Sequence, residues 1–295
     1  MKSELTNTLQ HFSNVLGGSM SENSYLSSFL KWPGGKKWLV SKYRKFIPEF
    51  SGEYYEPFLG GGSVFFRLLP TSGVISDINE DLINLYIVMR DHPIELKGIM
   101  SEYQEKHSVT FYYTIRESCP KLPIEKAGRL LYLNRTCYNG MYRVNRQGKF
   151  NVPIGSKSDC TYDLDLFPRY SAALKTIYIR VCDFSTSIEK SGAHDFVFVD
   201  PPYSIANNQN SFIKYNENLF NWNDQKRLVD VLCKARSRGA SIMVTNANYD
   251  GLMEMYRDNG FYIQHVDRYC AMAGVASKRR MTQELLITSF PLELP

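Results

Sequence analysis

At 295 residues and 43% hydrophobic content, the chain is long enough to fill a sizeable core, as one large domain or a domain with an insertion, which excludes disorder as the default. No apolar run approaches a membrane span and no secretory signal is read at the start, so a soluble protein is expected. Lys plus Arg number 35 against 30 Asp plus Glu, and the net charge of +5 permits a polyanionic partner without requiring one.

Residues 1–28, polar and carrying a Gly-Gly pair, read as a flexible leader. The ordered part is expected from Phe29, where "LKWPGGKKWLVSKYRKFIP" offers a Pro-Gly-Gly turn feeding an amphipathic helix. "EYYEPF" reads as a short strand that runs into Gly60, Gly61 and Gly62, and "SVFFRLL" as the helix after it. "GVISDIN" is a second strand ending on Asp77, and "EDLINLYIVMR" a second helix, so together they make a βαβ unit. Residues 89–175 change character: helical and polar at first, they become dense in Asn, Arg and Gly in "NRTCYNGMYRVNRQGKFNVPIG", and the stretch reads as inserted. From 176 the β/α rhythm resumes with "TIYIRVCDF", "DFVFVDPPY", the helix "NDQKRLVDVLCKARSRG", "ASIMVTNAN" and a terminal strand pair. The six cysteines (119, 137, 160, 182, 233, 270) show no CxxC pair and no metal-ligand spacing. They read as reduced thiols of a cytoplasmic protein with no metal site.

Three features carry chemistry. The glycine turn after the first strand lets backbone approach a ligand closely beside a helix N-terminus. Asp77, at the end of the next strand, is placed to accept both ribose hydroxyls of a nucleoside, which leaves a nicotinamide cofactor and S-adenosylmethionine undivided. Asp200-Pro201-Pro202-Tyr203 divides them. This stretch ends the buried run "FVFV", where open α/β sheets place ligands. The exocyclic amine of a base is a poor nucleophile because its lone pair is conjugated into the ring, and its chemistry needs acceptors aimed at its two hydrogens. The Asp200 carboxylate can take one and the Pro201 carbonyl the other, while the prolines stiffen the loop and Tyr203 offers a face for stacking.

The motifs "FLKWPGGK", "EPFLGGGSVFF", "SDIN", "LYLNRTCYNGMYRVNRQGKFNVPIG", "DPPY" and "KRRMTQELL", in that order over residues 29–290, resemble the Dam-type DNA adenine-N6 methyltransferases. The resemblance implies an α/β fold, the doubly wound S-adenosylmethionine-dependent methyltransferase sheet with a final antiparallel strand. Its catalytic domain would comprise 29–88 and 176–295, and 89–175 would be an inserted, mostly helical target-recognition domain with a β-hairpin. It also implies roles. Trp32, Lys36, Phe58, Gly60, Gly62, Asp77, Asp183, Phe184 and Asp200 match cofactor-side positions, with Asp183 and Phe184 where the family holds the cofactor's adenine. Asp200, Pro201, Pro202 and Tyr203 match the catalytic loop that receives a flipped adenine. Tyr138 matches an aromatic that wedges into the base stack. Lys31, Met141, Arg143 and Pro153 match base-contacting positions, with Asn139, Asn145 and Lys157 beside them on the DNA side, and Lys278, Arg279 and Arg280 suit phosphates.

One departure concerns specificity. After "FNVPIG" many relatives carry an Arg-Tyr-Lys run where this chain has Ser156-Lys157-Ser158-Asp159, so the outer bases of the target are open. The implied activity is methyl transfer from S-adenosylmethionine to adenine N6 in duplex DNA after base flipping, within GATC or a GAT-containing site, by a monomer or weak dimer. The competing readings are a DNA-binding regulator that keeps the cofactor fold and an amino-group methyltransferase acting on protein or RNA. A nicotinamide enzyme would have no reason for the DPPY loop.

Overall fold

The structure is a computed structural model that describes residues 25–145, 147–156, 160–203, 220–269 and 281–292. Seven strands form one sheet: β1 (Tyr54–Glu56), β2 (Gly73–Asp77), β3 (Ile177–Val181), β4 (Phe196–Val199), β5 (Ser241–Ala247), β6 (Tyr262–Tyr269) and β7 (Met281–Thr288), in the order β3-β2-β1-β4-β5-β7-β6. The first five pair in parallel, and β7 runs antiparallel between β5 and β6. The expected methyltransferase form of the doubly wound sheet, with its final antiparallel strand, is what the chain builds. The chain moves outward from β1 to β3 and returns through β4 on the other side of β1, so the topological switch lies between β1 and β4, where open sheets bind ligands. Glu56, Asp77 and Asp200 stand at or just beyond the carboxyl ends of β1, β2 and β4.

Strand alternation explains why the central sequence is apolar throughout. Phe196 and Phe198 of β4 face one hydrophobic cluster and Val197 and Val199 face the other, all four being buried. A parallel strand covered on both faces has no polar side to show. One cluster joins the sheet to the helices α1 (Lys37–Lys42), α2 (Phe65–Leu68), α3 (Glu80–Asp91), α4 (Pro93–Glu105), α5 (Val109–Glu117), α6 (Pro123–Thr136) and α7 (Phe167–Leu174). The other joins it to α8 (Phe184–Ile188), α9 (Trp222–Ser237) and α10 (Asp250–Asp258). Local signals set the helix starts. Asn79 caps α3 by accepting from Leu82 N at 3.1 Å, and Asn221 and Asp224 form a reciprocal capping box on α9.

Within 89–175, Leu96, Met100, Tyr112 and Leu131 lie in the same continuous cluster as Leu82 and Tyr86 of α3. The polar stretch after α6 makes a small antiparallel hairpin in which Val144 bridges Phe150 and Asn145 N donates to Lys149 O at 2.9 Å. On the leader side of Phe29, Leu26 is already buried, and Tyr170 donates its hydroxyl to Ser27 O at 2.8 Å. Among the described residues no helix is long and apolar enough to cross a membrane.

Candidate active site

The glycine turn carries the chain from β1 into α2. Gly60 (φ +48°) and Gly62 (φ +64°) have left-handed backbone, which a side chain would strain. Space forbids a side chain as well: a Cβ on Gly60 would lie 2.8 Å from Trp32 Cδ1, and one on Gly62 2.7 Å from the Tyr86 hydroxyl. Asp77 braces the turn, its Oδ2 accepting from Gly60 N at 3.1 Å and its Oδ1 from Asn79 N at 3.0 Å. Burial pushes the Asp77 carboxyl up against these bonds. The neighbouring Ile78 is left 60% exposed.

Glu56, at the end of β1, is 3% exposed and accepts from the Tyr54 hydroxyl at 2.8 Å. Burial raises its carboxyl to about 8, against the Tyr54 bond and with help from the charges of Asp200 and Asp77. Three acids therefore stand at adjacent strand ends, and of these Glu56 is largely protonated at neutral pH. Phe58 stacks on Phe184 with centroids 5.5 Å apart and planes at 26°. Asp183 caps α8 through Ser185 N and takes both guanidinium nitrogens of Arg227, at 2.7 and 2.9 Å. That pair holds the Asp183 carboxyl down at about 2.

Asp200 leaves β4 into a ring of partners. Its Oδ1 accepts from Thr245 Oγ1 of β5 at 2.8 Å, and Lys36 Nζ lies 2.8 Å from each carboxylate oxygen. Burial raises the Asp200 carboxyl, and Lys36 and Thr245 oppose the rise. Lys36 also donates to Gly34 O at 2.7 Å and is only 3% exposed. Its ammonium therefore sits on the strand-end acid, which the resemblance also matches to a cofactor-side position. Tyr203 donates its hydroxyl to Glu284 Oε2 of β7 at 2.7 Å, with the Lys36 ammonium 5.0 Å from its ring centroid. Pro201 is buried and Pro202 half-buried between them.

The hairpin region meets the glycine turn through Trp32, which stacks on Tyr142 at 5.2 Å and 23° while packing over Gly60. Lys31 exchanges backbone bonds with the Asn134 side chain at the end of α6, at 3.0 and 2.7 Å. Gly140 (φ +64°) lets Lys31 approach, since a Cβ there would meet Lys31 Cδ at 2.7 Å. Tyr138 is 48% exposed and anchored only by its backbone, its N–H donating to Pro153 O at 2.9 Å. Asn139 is exposed in left-handed backbone, Met141 is half-buried against the core, and Pro153 is exposed. The structure thus gathers Lys31, Trp32, Tyr138, Asn139, Met141 and Pro153 in one patch. Arg143, exposed, donates from Nε to Asn151 Oδ1 at 2.8 Å. Asn145 uses its Oδ1 on the turn, accepting from Gln147 N and Lys149 N. Lys157, Lys278, Arg279 and Arg280 lie outside the described residues.

Residues 32–272 match the family described as D12 class N6 adenine-specific DNA methyltransferase. The chain belongs to that family. It is therefore an adenine-specific DNA methyltransferase. The methyltransferase is 33% identical over 274 residues to the type II methyltransferase M1.LlaDCHI of Lactococcus lactis subsp. cremoris, covering 90% of this chain and 96% of the relative. It is 38% identical over 261 residues to the type II methyltransferase M.MjaIII of Methanocaldococcus jannaschii, covering 81% and 90%. With a DNA adenine methylase of Serratia marcescens the identity is 33% over 271 residues, covering 88% and 93%.

Several residues of the methyltransferase's site escape a reading of motifs. Thr245 and Glu284 sit inside β5 and β7, in "TNAN" and "TQELL", each beside other polar residues, so that nothing local marks which of them is buried on a partner. Arg227 lies on α9 among other charges, and nothing local marks it as the partner of Asp183.

Proposed function

We propose that this methyltransferase transfers the methyl group of S-adenosylmethionine to N6 of an adenine flipped out of duplex DNA, within GATC or a longer site containing GAT. The observation that carries the reading is the placement of Asp200: a carboxylate at the switch point of the sheet, held by Lys36 and Thr245 and beside the glycine turn that Asp77 braces.

The residues present fit the cofactor. Asp77 offers a strand-end carboxylate to a ribose beside the glycine turn, and the exposed Ile78 with Phe58 offers apolar contact to an adenine ring. Asp183, kept ionised by Arg227, can accept from that ring's amine. When bound, S-adenosylmethionine supplies an electrophilic methyl group on its sulfonium.

The protein's own contribution is positioning. Asp200 Oδ1 already takes Thr245 and Lys36, whereas Oδ2 takes Lys36 alone, so Oδ2 is the oxygen with capacity for a hydrogen of the adenine amine. The Pro201 carbonyl suits the second hydrogen, and the Tyr203 ring suits the face of the base. Holding both hydrogens favours the geometry in which the amine gains tetrahedral character during attack, and no strong base is required. Base flipping is needed because N6 is paired and stacked in the duplex, at a cost of about a few kcal/mol. Exposed Tyr138, beside Lys31 and Met141, suits a wedge at the gap left behind.

The deciding experiment expresses the chain in cells whose DNA lacks adenine methylation and digests that DNA with a nuclease blocked by methylated GATC. Protection is expected. Complete cutting, together with methyl-adenine mapped to unrelated sequences, would rule out the GATC assignment, and absence of transfer from labelled S-adenosylmethionine to DNA would rule out the whole reading.

A further inference from the structure

Glu284 has no task in the reading above, and its position is costly. It is 5% exposed on β7, opposite Val266 of β6 and Ala247 of β5. An ionised glutamate inside a sheet costs several kcal/mol unless its partners compensate, and an apolar residue of similar volume would fill the place at no such cost. Two neighbours compensate it here. Arg268 stands two residues along β6 from Val266, on the same face, and its Nη1 donates to Glu284 Oε1. Tyr203 donates its hydroxyl to the other carboxylate oxygen, Oε2, at 2.7 Å. Lys36 Nζ lies 4.0 Å from that same oxygen.

These contacts join the catalytic loop to the terminal strand pair. Burial, with the charges of Asp200 and Glu284, keeps the Tyr203 phenol well above its ordinary range, so it remains a neutral donor with one proton to give. Glu284 receives that proton, which ties the far end of the ring to a strand in the sheet. The formal charges of Lys36, Asp200, Glu284 and Arg268 sum to zero, so Glu284 also balances the second cation beside the site. The hydroxyl oxygen lies on the long axis of the ring, so a ring anchored there has a fixed axis and position, and an unanchored one can move to other χ1 rotamers.

We propose that Glu284 is a positioning residue of this methyltransferase: acting through the Tyr203 hydroxyl, with Arg268 as its counter-ion, it fixes the position and axis of the aromatic ring against which the target adenine lies. This rests on the reading of Asp200 to Tyr203 as the target-base site.

The test is a cycle of variants followed by single-turnover methyl transfer, with cofactor and DNA affinity measured separately. Replacing the ion pair by apolar residues, Glu284→Leu with Arg268→Met, removes the acceptor without leaving an unpaired charge. Transfer is expected to slow by about tenfold or more, the worth of a hydrogen bond to a charged group, while both affinities stay within about twofold. In a Tyr203→Phe background the same replacement is expected to change the rate by less than about twofold, because the hydroxyl through which Glu284 acts is already gone. 2-Aminopurine at the target position gives a second readout: flipping persists, but the quenching of the extruded base changes in the Glu284 variant and in Tyr203→Phe alike. Equal slowing in both backgrounds, or no slowing in either, overturns the proposal. If that apolar pair fails to fold, Glu284→Met with Arg268→Leu is carried through the same cycle with the same criteria. Asp200→Ala is run beside them. If it keeps the wild-type rate, the reading of the site falls and this inference with it. If it is inactive and the cycle is additive, only the role of Glu284 falls.

Discussion

The ammonium of Lys36 lies 2.8 Å from both carboxylate oxygens of Asp200, across 164 residues of sequence, and the lysine is nearly sealed from solvent. The contact joins the Pro-Gly-Gly turn at the start of the ordered chain to the loop after β4. A buried pair of this kind adds little net stability, but removal of one partner strands the other. Lys36→Met is expected to lower unfolding stability in urea by about 3 kcal/mol at neutral pH, the low end of such losses because protonation of Asp200 relieves part of the cost. The loss should shrink as pH falls, and adding Asp200→Asn should restore most of it. A single variant as stable as the wild type would show that the pair is not formed.

Asp200→Ala is expected to reduce methyl transfer by about 100- to 1,000-fold, the usual effect of removing one preorganised acceptor at a reacting centre. Cofactor and DNA affinities should be largely kept, since Asp77 and the hairpin region are untouched. A rate within about threefold of wild type would remove Asp200 from the chemistry.

Asp77 acts at the other end of the site. It holds Gly60 N at 3.1 Å, and in the proposed function its carboxylate takes a ribose, so Asp77→Ala should weaken S-adenosylmethionine binding by about 1.5–3 kcal/mol, the range for lost charge-assisted bonds. Calorimetry reads this directly, and unchanged affinity would exclude Asp77 from the cofactor site.

Glu56 gives a pH signature. Its carboxyl titrates at about 8 in the folded chain against 4.5 for a free side chain, so between these values the folded state holds a proton that the unfolded state has lost. Stability from this group is full below pH 4.5 and is lost as pH rises through about 8, amounting to a few kcal/mol on the order-of-magnitude scale of such shifts. Glu56→Gln, which keeps the shape and removes the charge, should flatten this part of the curve. Denaturation curves that run parallel for wild type and variant from pH 5 to pH 9 would contradict it.

The parts of this architecture that were legible in the sequence are those written in local pattern. The apolar run 196–199, the glycine turn and the acid that ends β2 each report on their own surroundings, and together they mark the βαβ unit and the ligand end of the sheet. Lys36 was legible as a site residue, yet its partner was not, because contact with Asp200 depends on how far the turn before α1 folds over the sheet. Thr245, Glu284 and Arg227 were illegible for a related reason: each is one polar residue among several in its strand or helix, and only strand order or helix packing brings it to Asp200, Tyr203 or Asp183. Likewise "NRTCYNGMYRVN" announces a loop dense in donors, but the stack of Tyr142 on Trp32 couples it to the glycine turn, which no spacing within the loop could convey.

That coupling bears on the target sequence. Lys31 is fixed by Asn134, and Tyr138 by Pro153 O, so the residues on this side are presented from backbone that is itself hydrogen-bonded. Arg143 is exposed at the base of the hairpin and donates from Nε to Asn151 Oδ1 and from Nη2 to Asn151 O, which orients a guanidinium whose remaining Nη hydrogens can give two donors to O6 and N7 of one guanine. Lysine offers a point charge and methionine no donor, so neither reproduces that contact. Arg143→Ala is expected to lose about 1–3 kcal/mol of discrimination at one guanine of the site while adenines in other contexts are still methylated. A contact to phosphate alone would instead weaken every sequence alike and lower the salt slope by about one. Rates on a set of duplexes differing by one base pair, measured at two salt concentrations, separate the two outcomes, and equal losses on all duplexes would make Arg143 a backbone contact and leave the reading of guanine to other residues.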